Sequence, residues 1–276
     1  MKKLSILLAL CLLTTLLPAA VAETNLSQVS TPEELTAVLA DDAVAVVEII
    51  SDMTITSVTE DASFVLTKDV TIAEGVNVLF QPAPDDGFFV KSLTIPEGVT
   101  LTVKGSLATM STFEGGFAIA QVYLNGGTLD VSAGTVSEDC NICFNAGTLV
   151  APAEGFGEKV SVARYLYEDV TEAAILDALS TDHLQTVDVQ MDCTVTGAIS
   201  IPEEKTLQIS AFVTVADGGS LTGNVVIDED CGLILLGSAA VNDVTPDEGT
   251  AGCILTWTGD AGYEKAPCDA EGNPIG

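Results

Sequence analysis

Apolar and polar residues alternate through most of this chain, and the alternation breaks at short recurring corners. In LTIPEGVTLTVKGSLA, Leu93 to Ala108, apolar side chains take every second position on either side of Pro-Glu-Gly. A period of two marks a strand with one buried face. It predicts Leu93, Ile95, Val99, Leu101 and Val103 inward, with Thr94, Thr100 and Thr102 outward. The corner recurs in TIAEGVNVLF from Thr71 and in SIPEEKTLQI from Ser200. Thr71–Phe80 matches Thr94–Val103, 23 residues on, at five of ten positions, and NGGTLDV at Asn125 is echoed 20 residues later by NAGTLVA at Asn145. Short strands between corners at such periods predict a β-solenoid, in which each turn buries its inner face and its strand edges only by stacking on its neighbours.

Two stretches switch to helical spacing. TPEELTAVLADDAVAVVEIISDMTIT from Thr31 aligns without gaps on TEAAILDALSTDHLQTVDVQMDCTVT from Thr171, an offset of 140. Thr31 is a good N-cap, with Pro32 in the first turn and Glu34 completing a capping box. Leu35, Val38 and Leu39 then form one apolar face, and Ile175, Leu176 and Leu179 form its counterpart in a helix starting after Asp169 or Thr171. Helices are predicted over 31–40 and 172–179. Each is followed by one alternating strand, Val47 to Ile55 and Val187 to Val195.

The first residues read as an export leader: Lys2 and Lys3, an apolar run from Leu4 to Leu17, then Ala20-Val21-Ala22 as cleavage site. That run is too short for a membrane span, which needs about 20 apolar residues. The chain is expected outside the cell or at its surface and not to span a membrane. It carries 40 acidic and 9 basic residues, a net charge of −31, which excludes a nucleic-acid partner and disfavours anionic lipid. Six cysteines follow the leader, and an even number in an exported chain permits disulfides without choosing among 15 pairings. Cys140 and Cys143 form a C-x-x-C, read as a local staple or as members of two separate bridges. Cys193 and Cys231 share a strand face with apolar neighbours and read as inward thiols, open to pairing with each other. Cys253 and Cys268 are expected to staple the C-terminal segment.

A short amphipathic helix, an alternating strand and then IPEGVTLTV rungs resemble the start of secreted bacterial right-handed parallel β-helix proteins, the pectate-lyase-like fold. The resemblance implies an all-β right-handed parallel β-helix in two related modules, each opened by a short helix that plugs the coil. The divisions are a leader over 1–22, a linker over 23–30, a first module over 31–155 and an inter-module segment over 156–168. A second module over 169–244 and a tail over 245–276 complete the chain.

Enzymes of that family imply chemistry this chain is poorly equipped for. The family's hydrolases carry Gly-His-Gly and Arg-Ile-Lys stretches, and neither occurs here. Its lyases use an Arg or Lys as proton acceptor beside a calcium cluster. The sole arginine is Arg164, placed in the inter-module segment, and the sole histidine is His183, placed in a loop after the second helix. Carboxylate pairs such as Asp85-Asp86, Glu203-Glu204 and Asp228-Glu229-Asp230 read as solvated turns. Asp228 and Asp230 remain the weak candidates for calcium, the one ion expected, if only loosely bound. Trp257 and Tyr263 are the candidate ligand contacts, against the alternative that Trp257 caps the last rung. The reading is a non-catalytic, adhesin-like surface scaffold whose partner is an extracellular glycan or protein. Its alternatives are a polysaccharide lyase or glycoside hydrolase, and a calcium-dependent glycan-binding module.

Overall fold

The computed structural model describes residues 25–57, 63–83, 89–111, 118–137, 140–157, 160–257 and 263–275. The export leader and the Asp85-Asp86 pair lie outside the described residues.

The alternating runs form strands that stack in parallel. Among the described residues they make four sheets, of twelve, five, four and three strands. Every ladder in the solenoid body is parallel, from Leu26–Val29 against Val46–Ile49 through Phe212–Val215 against Gly232–Leu236. Inward residues line up in columns across these ladders. Val47, Val70, Leu101 and Leu129 form one column, and Val187, Leu207 and Val225 another. All are buried, within one continuous core that extends from Val29 to Leu255. Burying each such side chain contributes about 1.5–3 kcal/mol, and a residue in the column above completes the burial of the one below.

The corners are local devices. Val99 N–H donates to Pro96 O at 3.2 Å and Val76 N–H to Ala73 O at 3.2 Å. Gly98, at φ +78°, takes the left-handed position that the tight turn demands. In the third copy Lys205 N–H closes onto Pro202 O at 2.9 Å. The three corners fall at different places in the coil, and the 23-residue echo between the first two is not a strand register. Val70 pairs with Leu101, whereas the 20-residue echo is one: Thr128 pairs with Thr148.

Helix α1 (Pro32–Leu39) and helix α2 (Glu172–Ser180) occupy the predicted places. Thr31 Oγ1 accepts from Glu34 N–H at 3.2 Å, and the Glu34 carboxylate reaches back to Ser30 N–H at 2.8 Å. Thr171 caps α2 through Ala174 N–H at 3.2 Å. Leu35 and Leu39 are buried under α1, and Ile175, Ala178 and Leu179 under α2. Leu176 is exposed, contrary to expectation, because the i, i+3, i+4 stripe through Ile175 falls on Ala178 and Leu179. Each helix bridges two parallel strands of the long sheet: Leu26–Val29 to Val46–Ile49, and Ser161–Leu166 to Thr186–Val189.

Each alternating run after a helix is two strands, Val46–Ile49 with Met53–Ser57 and Thr186–Val189 with Cys193–Val195. An even spacing across each corner, Ile49 to Met53 and Val189 to Cys193, preserves the alternation, so periodicity cannot reveal the bend. Asp52 and Asp192 mark it instead. Asp52 accepts the N–H of Asn77 at 2.7 Å, and Asp192 that of Phe212 at 2.9 Å. The segment 156–168 contributes a full ladder strand, Ser161–Leu166, so the long sheet passes unbroken from the first half to the second. The C-terminal segment forms an antiparallel hairpin, Gly252–Trp257 with Tyr263–Cys268, on the edge of Gly232–Leu236.

Candidate ligand-binding cleft

The outer face of the long sheet is hollowed where six strands or their ends meet. The cleft has a volume of about 570 Å³ and a rim of tyrosines, within the range typical of small-ligand sites. Alternation on Phe89–Pro96 turns Val90 and Ser92 outward, and on Ala118–Asp130 it does the same for Ile119, Gln121 and Tyr123. One row of the sheet runs Tyr123, Cys143, Ala163, Thr186. Cys143 and Ala163 are small and buried, so the row sinks beside Tyr123 and leaves the hollow. Tyr165 stands two positions further along its strand, and Tyr167 follows at its end beside Gln190.

Three of the four tyrosines of the chain meet here. The Tyr123 and Tyr167 hydroxyls lie 3.4 Å apart, and the Gln121 amide donates to Ser92 Oγ at 3.0 Å. Burial, followed by the Tyr167 contact, raises the Tyr123 phenol well above its ordinary value. Burial likewise raises Tyr165, with the Cys143 and Asp188 charges adding to it, and pushes the Cys143 thiol up to about 12. These groups are therefore neutral at physiological pH. Among the described residues the lining contains no Asp, Glu, Lys, Arg or His, although the chain has 40 acidic residues. The described lining thus offers aromatic faces, hydroxyls and amides.

Sequence reasoning missed this cleft, yet a signal was present. Tyr165 and Tyr167 sit two apart on an outward face, and the 20-residue echo already places Tyr123 against Cys143.

The residues singled out from sequence lie elsewhere, except Cys143. Trp257 and Tyr263 are not in a loop but face each other across the C-terminal hairpin. Trp257 is 40% exposed, so it does not cap the core. The Tyr263 hydroxyl donates to Val225 O at 2.9 Å and so ties the hairpin to the last strand of the long sheet. Asp228 accepts the Gln208 amide at 3.0 Å and the Ser210 hydroxyl at 2.6 Å, while Asp230 sits in a turn with φ +61°. Among the described residues no three His, Cys, Asp or Glu side chains gather as a metal site. Arg164 is on a rung, opposite Val187, where its guanidinium pairs with Asp177 of α2 at 2.8 Å. His183 is in the expected loop, with its ring edge-on to Phe156 at 6.3 Å.

The six cysteines among the described residues are thiols in this structure, against the expected bridges. Cys268 lies opposite Gly252 in the hairpin, so Cys253, the next residue, faces the other side of the sheet. Cys140 points into the core and Cys143 out into the cleft. Three residues of extended chain span about 10 Å, beyond the about 7 Å that a disulfide allows between α-carbons. Cys193 pairs with Val213, and Val213 pairs in turn with Leu233. A whole strand therefore separates Cys193 from Cys231. Both of these thiols are half-buried, because they stand at strand ends beside corners.

No helix among the described residues is long and apolar enough to cross a membrane. No protein-family model, curated protein or solved structure matches this chain.

Proposed function

We propose that the chain is an exported, non-catalytic interaction protein that holds a neutral glycan in the tyrosine cleft. The observation that carries this reading is the tyrosine-rimmed hollow, with no charged residue in its described lining, on a strongly acidic molecule. Sugar rings present C–H faces to aromatic side chains and hydroxyls to amides, and Tyr167, Gln121, Asn141 and Gln190 supply both kinds of partner. A polyuronate is disfavoured, because the described lining supplies no cation and the net field repels it. The leader at the start of the sequence supports export.

The scaffold is a right-handed parallel β-helix in this reading, similar in plan to the pectate-lyase-like proteins. Two strand–helix–strand units support the hand, because such crossovers between parallel strands are right-handed in about 98% of cases. Glycan turnover is the second function to test. It is less favoured because Asp188, the carboxyl that accepts the Gln190 amide, is outside the described lining.

Calorimetric titration with neutral oligosaccharides and oligouronates, with calcium or with a chelator, tests the reading. Binding of a neutral glycan is expected in both calcium arms, about tenfold weaker in Tyr167→Ala, a change worth about 1.4 kcal/mol. Absence of binding, or binding indifferent to Tyr167→Ala, removes the cleft as the site. Sugar release in the same samples establishes an enzyme, and binding only with calcium establishes the ion-dependent module.

A further inference from the structure

Beside the cleft, on the same outer face, two carboxyl groups close on one hydroxyl. Ser210 Oγ lies 2.7 Å from Asp188 Oδ1 and 2.6 Å from Asp228 Oδ2. A serine hydroxyl carries one proton and can donate to only one of them. The second contact, as short as the first, requires a hydrogen as well, and only a carboxyl can supply it. We propose that Asp188 and Asp228 hold a single proton between them through Ser210, as an acid-strengthened clasp across three strands of the long sheet.

The surrounding hydrogen bonds decide which carboxyl carries the proton. Asp228 accepts the Gln208 amide on both oxygens at 3.0 Å, as suits an ionised group. Asp188 accepts the Gln190 amide at 3.0 Å on Oδ2 alone, leaving Oδ1 to face Ser210. Asp188 is also the more buried, at 4% exposure. The chain of donation therefore runs from Asp188 Oδ1–H to Ser210 Oγ, and from Ser210 Oγ–H to Asp228 Oδ2. Both hydrogens of the chain then have an acceptor.

Neighbouring groups reinforce this state. Tyr165 stands opposite Asp188 on one side and Gln208 on the other. Asp192, Asp230 and Cys231 stand at the adjoining corners, and the Cys231 thiol is raised by burial first and then by Asp228, Asp230, Asp188 and Asp192. None of these neighbours is a cation. Burial, with the Asp228 charge adding to it, raises the Asp188 carboxyl above its ordinary value, while the Gln190 amide only partly opposes the shift. A carboxyl raised in the folded state lends stability that is complete below its unfolded value. That stability is lost as pH rises through the folded value. Two negative charges across one hydroxyl then repel, and one short contact must open.

Asp188→Asn tests the clasp, since its amide N–H donates to Ser210 at every pH. Thermal unfolding of the full protein and of this variant is compared from pH 4 to 8. The variant is expected to gain on the wild type as pH rises, the difference in Tm moving in its favour by about 2 °C or more. Independently of the variant's folding, carboxyl carbon NMR of the wild-type protein should show one aspartate still protonated after the exposed ones have ionised. That signal should vanish in Asp188→Asn. A Tm difference that does not change with pH, or aspartates that all ionise together, overturns the shared proton.

Discussion

The two strand–helix–strand units, Leu26 to Ile49 and Ser161 to Val189, follow one plan in different surroundings. The first lies at one end of the long sheet, and the second lies within it, with ladders on both sides. Glu48 and Asp188 occupy equivalent outward positions, 140 residues apart. At the sheet end Glu48 accepts the amide of Gln28 at 2.8 Å in an exposed contact. Inside the sheet Asp188 is enclosed by Tyr165, Gln208 and Ser210, and its chemistry changes. The same contrast holds at the helix ends. The Thr67 hydroxyl donates to Leu39 O of α1 at 2.6 Å, whereas Lys205 donates to both Leu179 O of α2 and the O of its C-cap Thr181 at 2.6 Å. A sequence plan repeated inside a sheet is satisfied there by buried groups, where its counterpart at the sheet end is satisfied by more exposed ones.

The largest effect should come from removing that buried cation. Lys205 is 6% exposed, and its ammonium holds two carbonyls at the negative end of α2. Lys205→Met retains the volume and abandons both bonds, at an expected cost of about 3 kcal/mol, since a bond to a charged donor contributes about 1.5–3 kcal/mol. Thr67→Val at the equivalent end of α1 loses one neutral bond, for about 1 kcal/mol. Urea unfolding of both variants decides the comparison. Equal losses would mean that burial does not separate the two units.

A smaller effect should separate two glycines where rungs stack. A β-carbon on Gly105 would lie 2.1 Å from Val76 O and 2.5 Å from Ala73 O. Both are backbone atoms of the corner beneath. On Gly219, in the second half, the nearest approach is 3.1 Å. Gly105→Ala is expected to cost about 2 kcal/mol through forced backbone displacement, and Gly219→Ala less than half of that. The same urea series reads the difference, and a milder Gly105→Ala would show the first-half rungs to be the more yielding.

Much of this architecture is legible in sequence because it is a matter of period. Alternation revealed the inward columns, Thr31 marked the first helix start, Asp169 or Thr171 bracketed the second, which Thr171 caps, and the 20-residue echo at Asn125 gave a true register. The bend after Ile49 stayed hidden because the alternation runs through it in phase. The cleft stayed hidden for a different reason. Tyr123, Tyr165 and Gln190 become neighbours only through the ladder between strands, and no local pattern encodes which outward row sinks. The expected disulfides failed on the same point. Composition counts cysteines, but the faces they occupy depend on hairpin pairing that was not foreseen for the C-terminal segment.

The last and most local prediction concerns the first residue of each helix. α1 begins with Pro32, which needs no hydrogen bond there, and α2 begins with Glu172. The Glu172 carboxylate turns away from its own helix and accepts the N–H groups of Thr196 and Gly197 at 2.7 and 3.0 Å, with the Thr196 hydroxyl at 2.9 Å. The Thr196 and Gly197 amides and then the Thr196 hydroxyl favour the ionised form, so the Glu172 carboxyl is lowered from its ordinary value. A lowered carboxyl lends stability that is present above its unfolded value and lost as pH falls through the folded one. Hydrogen exchange at the Thr196 and Gly197 amides should therefore lose protection on acidification. Glu172→Gln should show the weaker protection at every pH, because a neutral amide oxygen accepts less strongly than a carboxylate. The equivalent amides of the first half, Thr56 and Ser57, whose helix starts with Pro32, should show no such loss. Matching acid sensitivity at both pairs of amides would mean that the carboxylate of Glu172 does not hold its corner closed.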